Sequence, residues 1–144
     1  MPGPTATAEM DAQCQCGALR ARVAEDARPF TTMCHCQQCQ RRSGSPFGVV
    51  AYFRRDLVDI LGDAKEFTRG SDAGTSLTFG FCPACGSTIY ALLEKNPDLI
   101  GVSVGAFADS SFPSPDVSIW EQEKHHWLAL PDRIRQFARG TDGA

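Results

Sequence analysis

Seven cysteines in three short groups constrain this 144-residue chain more than any other feature. The groups are Cys14-Gln15-Cys16-Gly17, Cys34-His35-Cys36-Gln37-Gln38-Cys39 and Cys82-Pro83-Ala84-Cys85-Gly86. An odd number of cysteines, without a recognisable secretion signal, argues against a disulfide framework. Thiolates at these spacings can converge on one metal ion, with each sulfur at ~2.3 Å from zinc. The glycines after the first and third pairs let the backbone turn tightly there.

The spacing favours one division of the seven cysteines between two zinc ions. The first and third groups together supply four thiolates and close a tetrahedral site, whereas the middle group supplies three and leaves one coordination position open. A closed four-thiolate site is usually structural, and an open site is the pattern of a catalytic one. Three thiolates leave a divalent zinc unit formally at −1. Such a site suits the binding and activation of an added thiol better than strong hydrolysis.

Other interpretations of the cysteines remain open. The middle group can instead take a fourth cysteine from another pair, which strands that pair's second member. It can also be a second structural site, completed by His35, another side chain or a partner chain. The four outer cysteines can be buried free thiols, and iron can replace zinc at a thiolate site. A redox C-x-x-C motif has less support, because no thioredoxin-like βαβ pattern surrounds it.

The composition argues against several classes of function. The formal net charge is −3, and the short basic clusters are Arg41-Arg42 and Arg54-Arg55, whereas nucleic-acid binders gain much of their affinity from dense lysine and arginine. No apolar run approaches the ~20 residues of a membrane-spanning helix. The first eleven residues lack the pattern of a signal peptide, so we expect a cytoplasmic protein. We therefore expect neither a nucleic acid nor a membrane as partner.

The remaining pattern predicts a single mainly-β domain, stapled by zinc, with short helical pieces. Alternating or β-branched segments predict strands at 19–24, 47–53, 77–81, 87–92, 99–104 and 117–120. A helical turn is predicted at 36–42, and a terminal helix at 132–138, where Ile134 and Phe137 recur at the helical spacing. We assign 1–11 to a disordered N-terminal tail, 12–138 to the zinc domain and 139–144 to a flexible C-terminal tail.

The chain resembles the glutathione-dependent formaldehyde-activating family, which also includes centromere-protein-V-like domains. The resemblance lies in the three cysteine groups in this order, in the Gly44-Ser45-Pro46-Phe47 segment that follows the middle group, and in Trp127 followed by Leu130-Pro131. It spans about residues 12–137. One C-x-x-C pair is a weak signal, but three groups in this order with that tail are specific.

The resemblance implies a zinc-stapled, β-tent-like fold and a carbon–sulfur lyase of the S-(hydroxymethyl)glutathione synthase type. It implies a structural zinc on Cys14, Cys16, Cys82 and Cys85, and a catalytic zinc on Cys34, Cys36 and Cys39. The expected substrates are a small thiol, glutathione or similar, and an aldehyde such as formaldehyde. For the anionic thiol we name Arg41, Arg42 and Ser45 as binding residues. A homodimer is compatible with the sequence.

Two further hypotheses compete with the lyase. The same fold can serve as a non-enzymatic, zinc-stapled domain for protein contacts. A zinc-ribbon module for nucleic acid is the third hypothesis, which the net charge disfavours. Several side chains are also candidates for roles at the open site: His125 and His126 as a base or proton shuttle, and Arg69 and Lys124 as partners of a carboxylate.

Overall fold

A computed structural model describes residues 10–71 and 74–141 of the chain. Within these residues it contains eleven strands and one α-helix. The strands are β1 (Met10–Gln13), β2 (Arg20–Val23), β3 (Phe30–Cys34), β4 (Gly48–Arg54), β5 (Val58–Leu61), β6 (Lys65–Gly70), β7 (Ser76–Phe81), β8 (Thr88–Leu93), β9 (Leu99–Ser103), β10 (Val117–Ile119) and β11 (Arg135–Gln136). The helix α1 spans Gln37–Ser43, and single 3₁₀ turns cover Arg55–Leu57, Val104–Phe107 and Glu121–Glu123.

The strands form two sheets that enclose one core. A three-stranded antiparallel sheet has the order β1-β2-β5, and an eight-stranded sheet has the order β11-β10-β3-β4-β9-β8-β7-β6. The alternation of β2 directs Ala21 and Val23 inward, where they join Phe53 of β4 and Val102 of β9 in one buried cluster. The core therefore lies between the small sheet and the middle of the large one.

The large sheet is antiparallel except at one end. There β10 pairs in parallel with β3, and β11 pairs in parallel with β10. The register sets Ile119 opposite Cys34, the last residue of β3. This pairing brings the end of the chain beside the middle cysteine group, although 85 residues separate the two positions in sequence.

The helix α1 begins and ends at residues whose conformations suit its two termini. Cys36 is the N-cap, with an extended backbone, and its sulfur accepts a hydrogen bond from the backbone N–H of Cys39. Gly44 terminates the helix in the left-handed conformation, with φ of 71°, and its N–H donates to the carbonyl of Gln40 at 2.9 Å. A residue without Cβ adopts this conformation at little cost.

The predicted mainly-β single domain is confirmed, but the predicted helix at 132–138 is wrong. Arg135–Gln136 forms β11, and the N–H of Phe137 donates to the carbonyl of Ser118 at 2.9 Å. Ile134 is buried while its neighbours on both sides are exposed. Pairing of the backbone with β10 therefore prevails over the weak helical spacing. The strands β1, β3, β5 and β6 were not predicted.

Parts of the predicted tails lie outside the described residues, namely 1–9 and 142–144. Met10 and Asp11, which we assigned to the N-terminal tail, belong to β1, where they pair with β2. The carbonyl of Arg139 accepts a hydrogen bond from the N–H of Trp120 at 3.0 Å. The domain boundaries stay predictions. No helix among the described residues combines the length and apolar character that a membrane crossing requires.

Candidate functional site

The first and third cysteine groups meet, and their sulfur atoms form a four-thiol cluster. Cys14 and Cys16 lie in the turn between β1 and β2, and Cys82 and Cys85 lie in the turn between β7 and β8. All four sulfur atoms are within 4.8 Å of one another. The cluster thus joins a turn of the small sheet to a turn of the large sheet.

Each of the two turns contains a glycine in the left-handed conformation. Gly17 and Gly86 both have φ of 82°, a conformation that favours glycine. The N–H of Gly17 donates to the carbonyl of Cys14 at 3.0 Å, and the N–H of Gly86 donates to that of Cys82 at 2.8 Å. The N–H of Leu19 donates to the sulfur of Cys14 at 3.2 Å. In the first turn a backbone N–H thus donates to a cysteine sulfur, which favours the thiolate form that binds a cation.

The spacing of the sulfur atoms fits a tetrahedral metal ion. The sulfur atoms of Cys14 and Cys16 are 3.7 Å apart, and those of Cys16 and Cys82 are 3.6 Å apart. Four sulfurs at zinc's usual bond length would be about 3.8 Å from one another, whereas a disulfide bond is ~2.05 Å long. All seven cysteines are free thiols. The four-thiol cluster therefore has the dimensions of a closed metal site.

One thiol of this cluster, Cys85, has a pKa that favours the form that binds a cation. The hydroxyl of Ser87 lies 3.5 Å from the sulfur of Cys85, and hydrogen bonding by Ser87 lowers the pKa of the Cys85 thiol to about 5. At neutral pH this sulfur is a thiolate, which is the form that binds metal.

The middle group forms a separate three-thiol cluster, made of Cys34, Cys36 and Cys39. Cys34 ends β3, Cys36 caps α1, and Cys39 lies in the first turn of that helix, so the junction between strand and helix gathers the three sulfurs. Their sulfur atoms are within 4.8 Å of one another. Among the described residues, no histidine, aspartate, glutamate or further cysteine supplies a fourth atom to this group.

The three thiols of this cluster differ in the direction in which their pKa values are shifted. Hydrogen bonding with Cys34 and then Cys39 lowers the pKa of Cys36, and the positive charge of Arg69 contributes in the same direction. Hydrogen bonding with Cys36 raises the pKa of Cys34. One sulfur is thus charged while a neighbour keeps its proton. A bound cation would displace that proton, because thiols coordinate metals as thiolates.

His35 lies between two of these cysteines in sequence but does not join their cluster. Its side chain is fully buried, and Nε2 lies 2.8 Å from Oγ of Ser118 on β10. Because the Ser118 hydroxyl donates to Glu121 at 2.6 Å, His35 Nε2 is the donor to Ser118. Burial lowers the pKa of His35, so the ring is held neutral. His35 therefore anchors the segment between the cysteines to β10.

Gln40 holds α1 against His35 and against the segment that follows β10. Its Nε2 donates to the carbonyl of His35 at 2.8 Å and to that of Glu123 at 3.4 Å. These two acceptors fix the amide orientation, so Oε1 accepts from Nε2 of His125 at 3.0 Å. His125, proposed above as a base, is thus a hydrogen-bond donor to Gln40. His126 is exposed.

A cavity of about 540 Å³ opens beside the three-thiol cluster. Its floor consists of residues from β3, β4, β8, β7 and β6, and α1 and the segment after β10 form further walls. The basic residues on its wall are Arg42, Arg69 and Lys95, and among the described lining residues Glu123 is the acidic one. The cavity therefore joins the three sulfurs to a predominantly positive surface.

The structure separates the three residues that we named for thiol binding. Arg42 lines the cavity, whereas Arg41 is exposed and outside its lining. Ser45 shapes the turn before β4, where its hydroxyl accepts the N–H of Phe47 at 3.4 Å. Lys124 pairs with Glu121 at 3.2 Å.

Tyr52 and Lys95 are lining residues with useful chemistry that the sequence did not indicate. Tyr52 lies on β4, and burial raises its pKa to about 12, so its phenol stays protonated at neutral pH. Lys95 follows β8. Neither residue belongs to a motif, and only the register of the sheet brings them to the cavity.

The fold and the two thiol clusters define a cysteine-rich, mainly-β domain with two candidate metal sites. A model of the family described as "Glutathione-dependent formaldehyde-activating enzyme" matches residues 9–123. The chain belongs to this family, since the match covers most of its length.

Individual known proteins resemble this chain at low sequence identity. A Penicillium rubens protein, named as a candidate glutathione-dependent formaldehyde-activating enzyme, is 26% identical over 102 residues. That match covers 70% of this chain and 53% of the relative, so the chain spans about half the length of that protein. A crystal structure of a Rhodobacter sphaeroides protein superposes with a TM-score of 0.51 at 23% identity, covering 72% of this chain and 91% of the other. This last likeness shows the fold alone.

Proposed function

We propose that the chain is a zinc-dependent carbon–sulfur lyase that joins a small thiol to an aldehyde, in the manner of an S-(hydroxymethyl)glutathione synthase. The observation that carries the proposal is the three-thiol cluster, which lacks a fourth ligand among the described residues and borders a cavity of about 540 Å³. Membership of the family supports the same activity. Glutathione and formaldehyde are the proposed substrates.

The sulfur geometry supports zinc at both clusters, with Cys14, Cys16, Cys82 and Cys85 as structural ligands. In this proposal Cys34, Cys36 and Cys39 hold the catalytic ion. Zinc bound there would supply a positive centre that deprotonates a thiol and polarises a carbonyl oxygen. Thiolate ligands favour zinc over a hard cation such as magnesium.

The proposed reaction balances without an oxidant or reductant. The sulfur of the thiol forms a bond with the aldehyde carbon, the carbonyl double bond becomes a single bond, and the thiol proton ends on the oxygen as a hydroxyl. The reverse reaction breaks the same carbon–sulfur bond. The protonated phenol of Tyr52 is available on the cavity wall as a hydrogen-bond donor to that oxygen.

Glutathione binding to the cobalt-substituted protein tests the proposal. We expect millimolar glutathione to change the thiolate-to-cobalt absorption bands, because a fourth sulfur would enter the three-thiol site. A Cys36→Ser variant is the matched control, since it keeps the four-thiol cluster and should not respond. The wild-type protein should also accelerate the formation of S-hydroxymethylglutathione, followed by ¹³C NMR with labelled formaldehyde.

Two results would contradict the lyase. One is a cobalt spectrum that glutathione leaves unchanged, and the other is a rate equal to that of the uncatalysed reaction. Either result, with two metal ions bound per chain, would favour the non-enzymatic, metal-stapled domain.

A further inference from the structure

Two arginines from different elements lie against one aromatic ring in the cavity. The guanidinium carbon of Arg42, on α1, is 4.9 Å from the centroid of Phe79, and that of Arg69, on β6, is 5.4 Å from it. Phe79 is a buried residue of β7. Each contact is favourable by itself, but two cations on one ring also repel each other. An anion near both guanidinium groups would relieve this repulsion.

Neither arginine has a carboxylate partner among the described residues. The ion pairs of the described chain involve other residues. Arg69 donates one long hydrogen bond, of 3.4 Å, to the carbonyl of Gly70. The Nε of Arg42 is buried with no hydrogen-bond partner in the described chain. A buried donor without an acceptor is costly. The guanidinium of Arg69 makes only that one long hydrogen bond among the described residues, so it keeps donors for an anionic ligand.

The same cavity joins this positive surface to the sulfurs. Arg42 lies on the helix that carries Cys39, whereas Arg69 lies on β6. Lys95 adds a further positive charge to the wall. A thiol whose sulfur enters the three-thiol cluster can therefore bring a carboxylate to Arg69 along this cavity.

We propose that Arg69 determines substrate specificity by binding a carboxylate of the thiol substrate. This inference rests on the proposed function and names the residue that distinguishes a thiol with a carboxylate from a neutral thiol. The planar guanidinium can donate two parallel hydrogen bonds to a carboxylate. Arg42 and Lys95 strengthen the positive field at the same wall. A neutral thiol of the same size binds less tightly.

Glutathione and its diethyl ester form the test pair, because the ester keeps the thiol and loses both negative charges. Dissociation constants come from titration of the cobalt-substituted protein. We expect the wild-type protein to prefer glutathione by about tenfold or more, the effect of one charge-assisted interaction. Arg69→Gln should weaken glutathione binding about tenfold and ester binding less than twofold. The quantity compared is the ratio of the glutathione affinity to the ester affinity, in the wild-type protein and in the variant. The steric effect of the ethyl groups is common to both ratios and therefore cancels.

Two further variants sharpen the test. Arg69→Lys keeps the positive charge without the guanidinium fork, so it should retain only part of the preference. Arg28→Gln removes an exposed arginine outside the cavity lining and should leave both affinities unchanged. A thermal melt of each variant checks that it folds, and if Arg69→Gln fails to fold, Arg69→Lys and Lys95→Gln carry the comparison.

Three outcomes would overturn the inference. Equal affinities for the two thiols in the wild-type protein would show that no carboxylate is bound. An equal loss for both thiols in Arg69→Gln would mean that Arg69 only balances the charge of the metal centre. A spectrum that neither thiol changes would overturn the inference and the proposed function together, whereas the first two outcomes leave the lyase standing.

Discussion

At the scale of single residues, Gln40 connects three segments around the three-thiol cluster. Its amide donates to the carbonyls of His35 and Glu123 and accepts from His125. The helix that carries Cys39 is thereby held against the segment before it and against the chain that follows β10. The position of the third sulfur thus depends on one uncharged side chain.

We predict that Gln40→Ala lowers the free energy of unfolding by about 2–3 kcal/mol, since it removes three hydrogen bonds, one of them long, and each lost hydrogen bond costs ~1 kcal/mol. The variant should also release metal from the three-thiol cluster faster than the wild-type protein does. Denaturant unfolding and metal transfer to a coloured chelator measure the two effects. Gln37→Ala, at an exposed position of the same helix, is the control. Equal behaviour of the two variants would show that Gln40 does not hold the cluster.

At the scale of elements, close packing between strands depends on a glycine of β7. Gly80 lies opposite Tyr90 of β8, and a Cβ at Gly80 would overlap the Tyr90 ring. The phenol of Tyr90 donates to the carboxylate of Glu66 on β6 at 2.6 Å. The ring therefore crosses β7 above the glycine and links three consecutive strands.

We predict that Gly80→Ala destabilises the domain by about 2–3 kcal/mol, because the added methyl group must displace a ring that is fixed by its neighbours. Gly70→Ala on β6 is the matched control, since no described atom lies within 4 Å of the Cβ that it would add. Thermal unfolding of both variants provides the comparison. A Gly80→Ala protein as stable as the control would contradict this packing.

The sequence is informative where a strand has one buried face. In β4, the run of apolar and aromatic residues identified the strand, and its burial alternates for most of its length. In β6, by contrast, five of six residues are exposed, so no apolar face distinguishes it from a loop. The predicted helix at 132–138 fails for a related reason. Two apolar residues were too few to show that pairing with β10 would determine the backbone.

The candidate site, too, could be predicted only in part from the sequence. The cysteine spacings predicted two groups of sulfurs, and the structure places the sulfurs in those two groups. Spacing reflects local geometry, which the turns and the helix cap determine. The position of Arg69 beside Phe79 depends instead on how β6 pairs with β7. Single-sequence periodicity contains no information on such pairing.

At the scale of the whole molecule, the four-thiol cluster brings together a turn of each sheet. Cys16 and Cys82 are 66 positions apart, and their sulfur atoms are 3.6 Å from each other. An ion bound there closes a long loop of the chain, which restricts the unfolded state and adds its binding free energy to folding. The three-thiol cluster closes only a short segment, so its ion should add much less to stability.

We predict that Cys85→Ser lowers the stability by at least about 3 kcal/mol, which corresponds to roughly 10 °C in Tm for a domain of this size. Cys36→Ser should shift Tm far less while abolishing thiol–aldehyde activity. Each variant should lose one metal ion per chain, measured by elemental analysis beside calorimetry. A Cys36→Ser protein that is as unstable as Cys85→Ser would mean that both clusters only support the fold.

The positions of the two clusters along the sequence also imply an order of events during synthesis on the ribosome. All three sulfurs of the middle group emerge within six consecutive residues, so a nascent chain presents them early. The other cluster waits until residue 85 has emerged, and the strand that covers His35 comes later still. We therefore expect the growing polypeptide to offer its reactive ion-binding loop to cellular metal before the crosslink between its sheets can form.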